Sequence, residues 1–532
     1  MEKPSGKVTV REATIDLLRR LDMTTVFGNP GSTELPFLSN WPNDFRYVLG
    51  LQEASVVAMA DGYARATGRA AFCNLHSAAG VGHALGSVFT AFRNQAPLVI
   101  SAGQQARSLL PLQPFLGATE AANFPKPYVK WSCEPARAED VPAALAQAYY
   151  IAMQRPRGPT FVSVPMDDWD RETLQTVPRT VSQDSAPDPM LIDKLAATLQ
   201  KAKRPVIVIG PEIDDEGAAD QAVTLAEALG APVWVSPFSS RASFPELHPN
   251  FAGFLPAAPQ AISATLSEYD VVVVLGAPVF TFHVVGDCPL FRGDVSLFQI
   301  TGDGAAAAAS PIGTGIVGSV RLSLAALLQQ LPVGKRNTTL TPRPRDIPLA
   351  RDPIPAAYLL HAIAKSMPAD TILVEEAPSH RPLMHRYLPI ATPGNFFTMA
   401  SGGLGYGLPA AVGVALARPG RRVVCLIGDG SLMYSIQALW TAAQLKLPVS
   451  VIVINNSGYG AMRSFMQTLN VQSTPGIDLP GIDPARIAEG FECSAARVTE
   501  AAGLEKALAE ALSQNGPSLL DVIVDPDVPK LY

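Results

Sequence analysis

Asp429 lies between two glycines in Gly428-Asp429-Gly430-Ser431, and Asn456 lies in Asn455-Asn456-Ser457-Gly458-Tyr459. A carboxylate and an amide oxygen are hard donors of the kind Mg²⁺ takes, and that ion is commonly completed by water and ligand phosphates. Gly428 and Gly430 allow the backbone to come close to phosphate groups. The pair of motifs is therefore read as a diphosphate-and-metal site, with Ser431 inside it.

Either turn alone is common, so the elements between them carry the argument. Ser435 to Leu445 is amphipathic and Val449 to Ile454 is an apolar, β-branched run, which predicts strand, turn, helix, strand. In such a βαβ unit the turns after both strands lie side by side at the carboxyl edge of a parallel sheet, the usual ligand crevice. Asp429 and Asn456 are expected to converge there.

Further candidates precede this unit. Ser32 follows the short strand pattern Thr25-Val26-Phe27-Gly28, where it either caps the next helix or orients a substrate carboxylate. Glu53 stands between an apolar strand and a helix lined with small residues, a costly place for a carboxylate without a partner. It is a candidate acid/base, against the plainer reading of a helix N-terminal Glu favoured by the dipole. His76 follows the predicted strand Ala70 to Asn74 and is placed like a site residue. His283, beside aromatics after the strand Val271 to Leu275, reads alone as a packed residue. The other histidines show no metal-binding spacing. Gly80, Gly82 and Gly86 match a dinucleotide pattern but lack the acidic ribose partner, so nicotinamide binding is not expected.

The positioning scaffold is α/β. Two Pro-rich polar stretches, Thr176 to Pro189 and Gly334 to Pro355, divide the 532 residues into three blocks. Three doubly wound parallel-sheet domains are expected, at 1–180, 188–335 and 352–532, the first and third sharing a coarse plan. A composition of 48% hydrophobic and 17% charged residues with net charge −6 describes a globular protein with no bias toward nucleic acid. The apolar runs are strand-sized, so no membrane span is expected. Five scattered cysteines without CxxC spacing read as buried thiols in a reducing, cytoplasmic setting.

Taken together, the segments FGNPGSTELPFL (27–38), LQEASVVAMADGYA (51–64), NLHSAAG (74–80), AGQQAR (102–107), GAPVFTFH (276–283), SGGLGYGLPAA (401–411) and GDGSLMYSIQALWTAAQ (428–444) resemble the thiamine-diphosphate-dependent 2-oxo acid decarboxylases. The likeness runs along almost the whole chain and is strongest to the branch acting on benzoylformate. It implies an N-terminal pyrimidine-binding domain, a central domain and a C-terminal diphosphate-binding domain, with thiamine diphosphate held between two subunits of a dimer or tetramer. Asp429, Asn456 and the carbonyl of Gly458 would bind Mg²⁺. Glu53 would serve the aminopyrimidine, the Gly402 carbonyl would take its amino group, and Leu404 would bend the cofactor. His76 and His283 would relay protons and Ser32 would hold the substrate carboxylate. The implied reaction is decarboxylation of an aromatic 2-oxo acid to its aldehyde through a cofactor-bound enamine, with carboligation as a side activity.

Two departures concern the substrate end. Thr398 stands where the resemblance implies an aromatic ring, and Pro378 replaces a cofactor-contacting hydroxyl that Ser379 could supply. The other implied pocket positions, Phe115, Leu116, Ala461, Met462 and Phe465, are apolar and suit an aryl or bulky aliphatic acid. The alternatives are a decarboxylase of another bulky 2-oxo acid, a synthase of the acetohydroxyacid type, which the pair His76 and His283 argues against, and an inactive cofactor-binding scaffold.

Overall fold

A computed structural model of the chain describes residues 6–286, 290–291, 295–332, 334–338, 340, 346–528 and 530–531. Three six-stranded sheets, every strand pair parallel, stand in succession along it. The first holds β1 (Thr25–Gly28), β2 (Arg46–Leu49), β3 (Ala71–Leu75), β4 (Leu98–Gln104), β5 (Ser132–Cys133) and β6 (Thr160–Pro165), in the spatial order β2-β1-β3-β4-β6-β5. The central sheet holds β7 (Pro205–Ile209), β8 (Val233–Val235), β9 (Phe251–Phe254), β10 (Val271–Leu275), β11 (Ser296–Thr301) and β12 (Thr314–Val317), ordered β9-β8-β7-β10-β11-β12. The third holds β13 (Ile372–Glu376), β14 (Phe396–Thr398), β15 (Val423–Gly428), β16 (Val449–Asn455), β17 (Ser494–Val498) and β18 (Ser518–Ile523), ordered β14-β13-β15-β16-β18-β17.

The outer sheets thus share one strand order and the central sheet has another, which goes beyond the coarse plan read for the first and third blocks. Residues 174–188 and the described residues of 334–355 form no helix or named strand. Pro342 and Pro344 of the second stretch, and Cys288, lie outside the described residues. Burial on both faces explains why the inner strands are continuous apolar runs. All seven residues of β16 are buried, and β10 is Val-Val-Val-Val-Leu throughout.

The N-terminal segment is an amphipathic helix, α1 (Val10–Arg20). It is closed by a reciprocal cap in which the Thr9 side chain accepts from the Glu12 backbone N–H and Glu12 accepts from that of Thr9. Beyond it, α2 (Glu53–Thr67) and α3 (Ser77–Arg93) cover the first sheet, and α4 (Gly407–Ala417) belongs to the third domain. Helices α2 and α4 pack backbone to backbone: a Cβ on Gly62 would collide with the Ala410 carbonyl, and one on Gly413 with that of Met59. Their small, buried residues join one hydrophobic core that runs from the first domain into the third.

Arg65, at the end of α2, ties all three domains. It donates to the Thr398 carbonyl at 2.9 Å, the Tyr406 hydroxyl at 2.6 Å and the Ser240 carbonyl at 2.9 Å. Asp61 lies 3.7 Å away on the same helix. Of the described cysteines, Cys73, Cys425 and Cys493 are buried and Cys133 partly so, all as free thiols. No helix among the described residues is long and apolar enough to cross a membrane.

Candidate active site

The first group of site residues sits at the carboxyl edge of the first sheet. β1 leads into Asn29, Gly31 and Ser32, β2 into Glu53 as the first residue of α2, and β3 into His76. The His76 Nδ1 lies 2.9 Å from Glu34 Oε2 and 3.1 Å from the Thr33 hydroxyl. Glu34, only 1% exposed, is itself fixed: it accepts from Gly31 N at 2.8 Å, Gly103 N at 3.0 Å and the Thr33 hydroxyl at 2.6 Å. A carboxylate held this way sets the imidazole's orientation and leaves Nε2 to meet other groups.

Glu53 accepts from the Asn29 amide at 3.3 Å through Oε1, and its Oε2 lies 3.1 Å from His83 Nδ1. Gly80 joins the two chemistries. A Cβ there would stand 3.3 Å from both the Glu53 side chain and His76 Cβ, so the missing side chain is what lets them share a wall. A Cβ on Gly31 would strike the His76 ring, which places the Gly31-Ser32 turn against it. Ser32 is exposed and does not cap the next helix: Leu35–Leu38 is headed by Glu34 and has no side-chain cap. Beyond β4, the Ser77 hydroxyl donates to the Leu116 carbonyl, and Gln104 grips Ala118 N and O at 3.0 and 2.9 Å. These contacts dock the loop of Phe115 and Leu116 beside His76, with Phe115 87% exposed.

The second group sits at the carboxyl edge of the third sheet. β15 and β16 are neighbours, and Asp429, opening the one-turn helix α5 (Asp429–Leu432), meets Asn456, as the βαβ reading required. The helix between them, α6 (Ala438–Gln444), is shorter than the amphipathic pattern. The Asn456 amide faces the Gly458 carbonyl at 2.7 Å and the Asp429 carboxylate at 3.2 Å. With its nitrogen inward it donates to both; with its oxygen inward three oxygens converge without a donor. That second arrangement is a donor set for a hard cation. Burial pushes Asp429 up to about 6, a cost that a bound cation would relieve. The residues therefore fit Mg²⁺, although among the described residues no cluster of three or more His, Cys, Asp or Glu exists to announce it.

Around this point the backbone is closely approached by its neighbours. A Cβ on Gly460, the first residue of α7 (Gly460–Leu469), would lie 2.6 Å from Val528 and 3.0 Å from the Ser379 hydroxyl, besides striking the Asn456 amide. Ser379 is thus close to the metal motif, as Pro378 required if any hydroxyl was to serve there. Gly402 has φ +73° and Gly405 φ +102°, conformations that favour glycine and shape the turn carrying Leu404. Glu376, fully buried, takes hydrogen bonds from Gly405 N at 2.7 Å and from Gly407 N, so it anchors that turn and the start of α4. Ala461, Met462 and Phe465 follow on α7, and the Phe465 ring stands 5.0 Å from that of His283. Phe238 flanks His283 on another side at 5.8 Å.

Thr398 corrects the sequence reading. It is completely buried, donating to Glu375 at 2.8 Å and accepting from Arg381 at 2.8 Å. Its side chain closes an ion pair at the end of β14 and lines no open pocket. The sequence reading also missed Glu34, His83 and Glu376. Glu34 is visible as an acid two residues beyond Ser32, but its partner lies 42 residues away and no local pattern links them.

No contact among the described residues joins Glu53 or His76 to Asp429 or Asn456. Oxygen donors for a cation on one sheet edge, and titratable groups on the same edge of a sheet with the same strand order, suit a cofactor with an anionic tail and a reactive head. Three segments match the thiamine pyrophosphate enzyme family: 8–123 its N-terminal TPP binding domain, 192–327 its central domain and 377–522 its C-terminal TPP binding domain. The chain belongs to that family.

Within it the chain is a homologue of the benzoylformate decarboxylases. It is 44% identical over 519 residues to benzoylformate decarboxylase of Pseudomonas aeruginosa, covering 97% of this chain and 98% of that one. The crystal structure of benzoylformate decarboxylase from Polynucleobacter necessarius superposes with TM-score 0.95 at 40% identity, over 98% and 99% of the two chains. The thiamine diphosphate-dependent 4-hydroxybenzoylformate decarboxylase of Rhodococcus jostii RHA1 gives 0.94 at 42% identity, over 98% and 100%.

Proposed function

We propose that the protein decarboxylates an aromatic 2-oxo acid of the benzoylformate type to its aldehyde and CO₂, with thiamine diphosphate and Mg²⁺ as cofactors and carboligation of aldehydes as a side activity. The full-length likeness to decarboxylases named for aryl 2-oxo acids carries this reading.

Bound thiamine diphosphate supplies an electron sink for the electrons left behind as CO₂ departs. The chain does the rest. Asp429, Asn456 and the Gly458 carbonyl would hold the cation, while Gly428, Gly430, Ser431 and Ser379 would surround the diphosphate. Glu53 would hold and release a proton at the aminopyrimidine end of the cofactor, the Gly402 carbonyl would accept a hydrogen bond there, and Leu404 would support the cofactor between its two ends. Ser32 holds the substrate carboxylate. His76, oriented by Glu34, and His283, packed against Phe465, move protons to and from the substrate. Phe115, Leu116, Ala461, Met462 and Phe465 supply the apolar wall for an aryl group.

Glu53 and Asp429 serve one cofactor when the first domain of one copy faces the third domain of another, so we propose a dimer or tetramer. Exposed apolar residues beside both groups, among them Leu112, Phe115 and Met462, support such a face. Free buried thiols support a cytoplasmic setting.

The test is release of CO₂ and aldehyde from benzoylformate, phenylpyruvate and pyruvate, with thiamine diphosphate and Mg²⁺ supplied or withheld. Cofactor-dependent benzaldehyde from benzoylformate is expected. Turnover of another acid alone would reassign the pocket, and no aldehyde from any would overturn the reading.

A further inference from the structure

His83 lies in the second turn of α3 and reaches back to the residue that heads α2. Its Nδ1 is 3.1 Å from Glu53 Oε2, and the two side chains differ sharply in exposure, 64% for His83 against 10% for Glu53. The other Glu53 oxygen is met by the Asn29 amide, which can donate a hydrogen bond but cannot carry a proton away. Imidazole can take a proton at one nitrogen and release another from the second. The contact is direct, since 3.1 Å between the imidazole nitrogen and the carboxylate oxygen is hydrogen-bond distance.

An acid/base enclosed by protein must regain its starting protonation state in every cycle, and its speed is limited by how protons reach it. We infer that His83 is the proton-exchange partner of Glu53, linking the enclosed carboxylate to water. A proton on Glu53 Oε2 passes to Nδ1 while the Nε2 proton leaves to water, and uptake runs in reverse. Only O–H and N–H bonds change, and water is the sole co-reactant. His83 touches no reacting atom in this scheme and acts entirely through Glu53. The inference rests on the role proposed for Glu53 above.

The experiment measures exchange of the thiazolium C2 proton for deuterium in holoenzyme without substrate, by quenched-flow NMR, for the wild type, Glu53→Gln, His83→Gln and His83→Ala. Gln keeps a hydrogen bond to Glu53 but cannot pass a proton. Both His83 variants should slow exchange about tenfold or more, and added imidazole should restore the rate in His83→Ala. Wild-type exchange in His83→Gln would show that a hydrogen bond suffices and would overturn the inference, as would failure of imidazole to restore His83→Ala. If Glu53→Gln also exchanged at the wild-type rate, the proposed role of Glu53 would fall with it. A slow Glu53→Gln beside a fast His83→Gln removes His83 alone.

Discussion

Glu34 fixes His76 while it accepts from three other groups, two on its own turn and one on β4. Glu34→Ala should leave the fold recognisable by circular dichroism and lower kcat about tenfold or more, since an unheld imidazole loses part of its acid/base advantage. Unchanged kcat in steady-state assays would detach Glu34 from the chemistry. His380 offers a stability test. Burial pulls it down to about 4, and its Nε2 has no hydrogen-bond partner. The unfolded chain takes up a proton near pH 6.5 that the folded state refuses, so this stability is complete above that pH and is lost as pH falls toward 4. Linkage puts the loss at about 3 kcal/mol at most. His380→Phe should flatten urea-measured stability across that window. At this scale Asp429 and Asn456 were legible because strand order dictates where they meet. Glu34 and His83 were not, because their partners come from other elements, and Thr398 misled because sequence does not reveal which side of a strand end is sealed by an ion pair.

Elements proved legible where burial forces a pattern. Val271–Leu275 emerges with the boundaries read from its apolar run, and β16 extends its run by one residue, Asn455. Short pieces such as α5 carry too few residues for periodicity to speak. The small residues of α2 pointed to a packed helix without naming its partner, which only the structure supplies as α4. Gly413→Ala should be strongly destabilising, because its Cβ is driven into the Met59 backbone and neither helix can yield cheaply; overpacking of this kind costs about 1–3 kcal/mol or more. Gly503, on an open helix surface with nothing nearby, is the control: Gly503→Ala should be neutral or slightly stabilising. Equal thermal unfolding of the two variants would contradict the packing argument.

At the scale of the whole molecule Arg65 is the sensitive point, since one guanidinium bonds groups from the central and third domains while resting beside buried Asp61. Arg65→Met should cost about 3–5 kcal/mol, because Asp61 then stays buried without its cationic partner. Denaturant titrations at fixed protein concentration would show it, and a change below about 1 kcal/mol would mean the junction is not stressed. The three-sheet architecture was legible from linkers and apolar runs, whereas the meeting of the domains depends on contacts hundreds of residues apart.

The shared strand order of the outer sheets also gives their turns a common set of addresses. Numbering strands within each sheet, the first-strand turn carries Ser32 in one and Ser379 in the other, and the second leads to Glu53 in one and to Gly402 and Leu404 in the other. The third delivers His76 and Asp429, and the fourth delivers the loop of Phe115 and the Asn456 turn. One scaffold has been written twice with different text, and in the function proposed above matching addresses would grip opposite ends of a single molecule. A change of chemistry in such a chain needs new residues at four turns and leaves both sheets untouched.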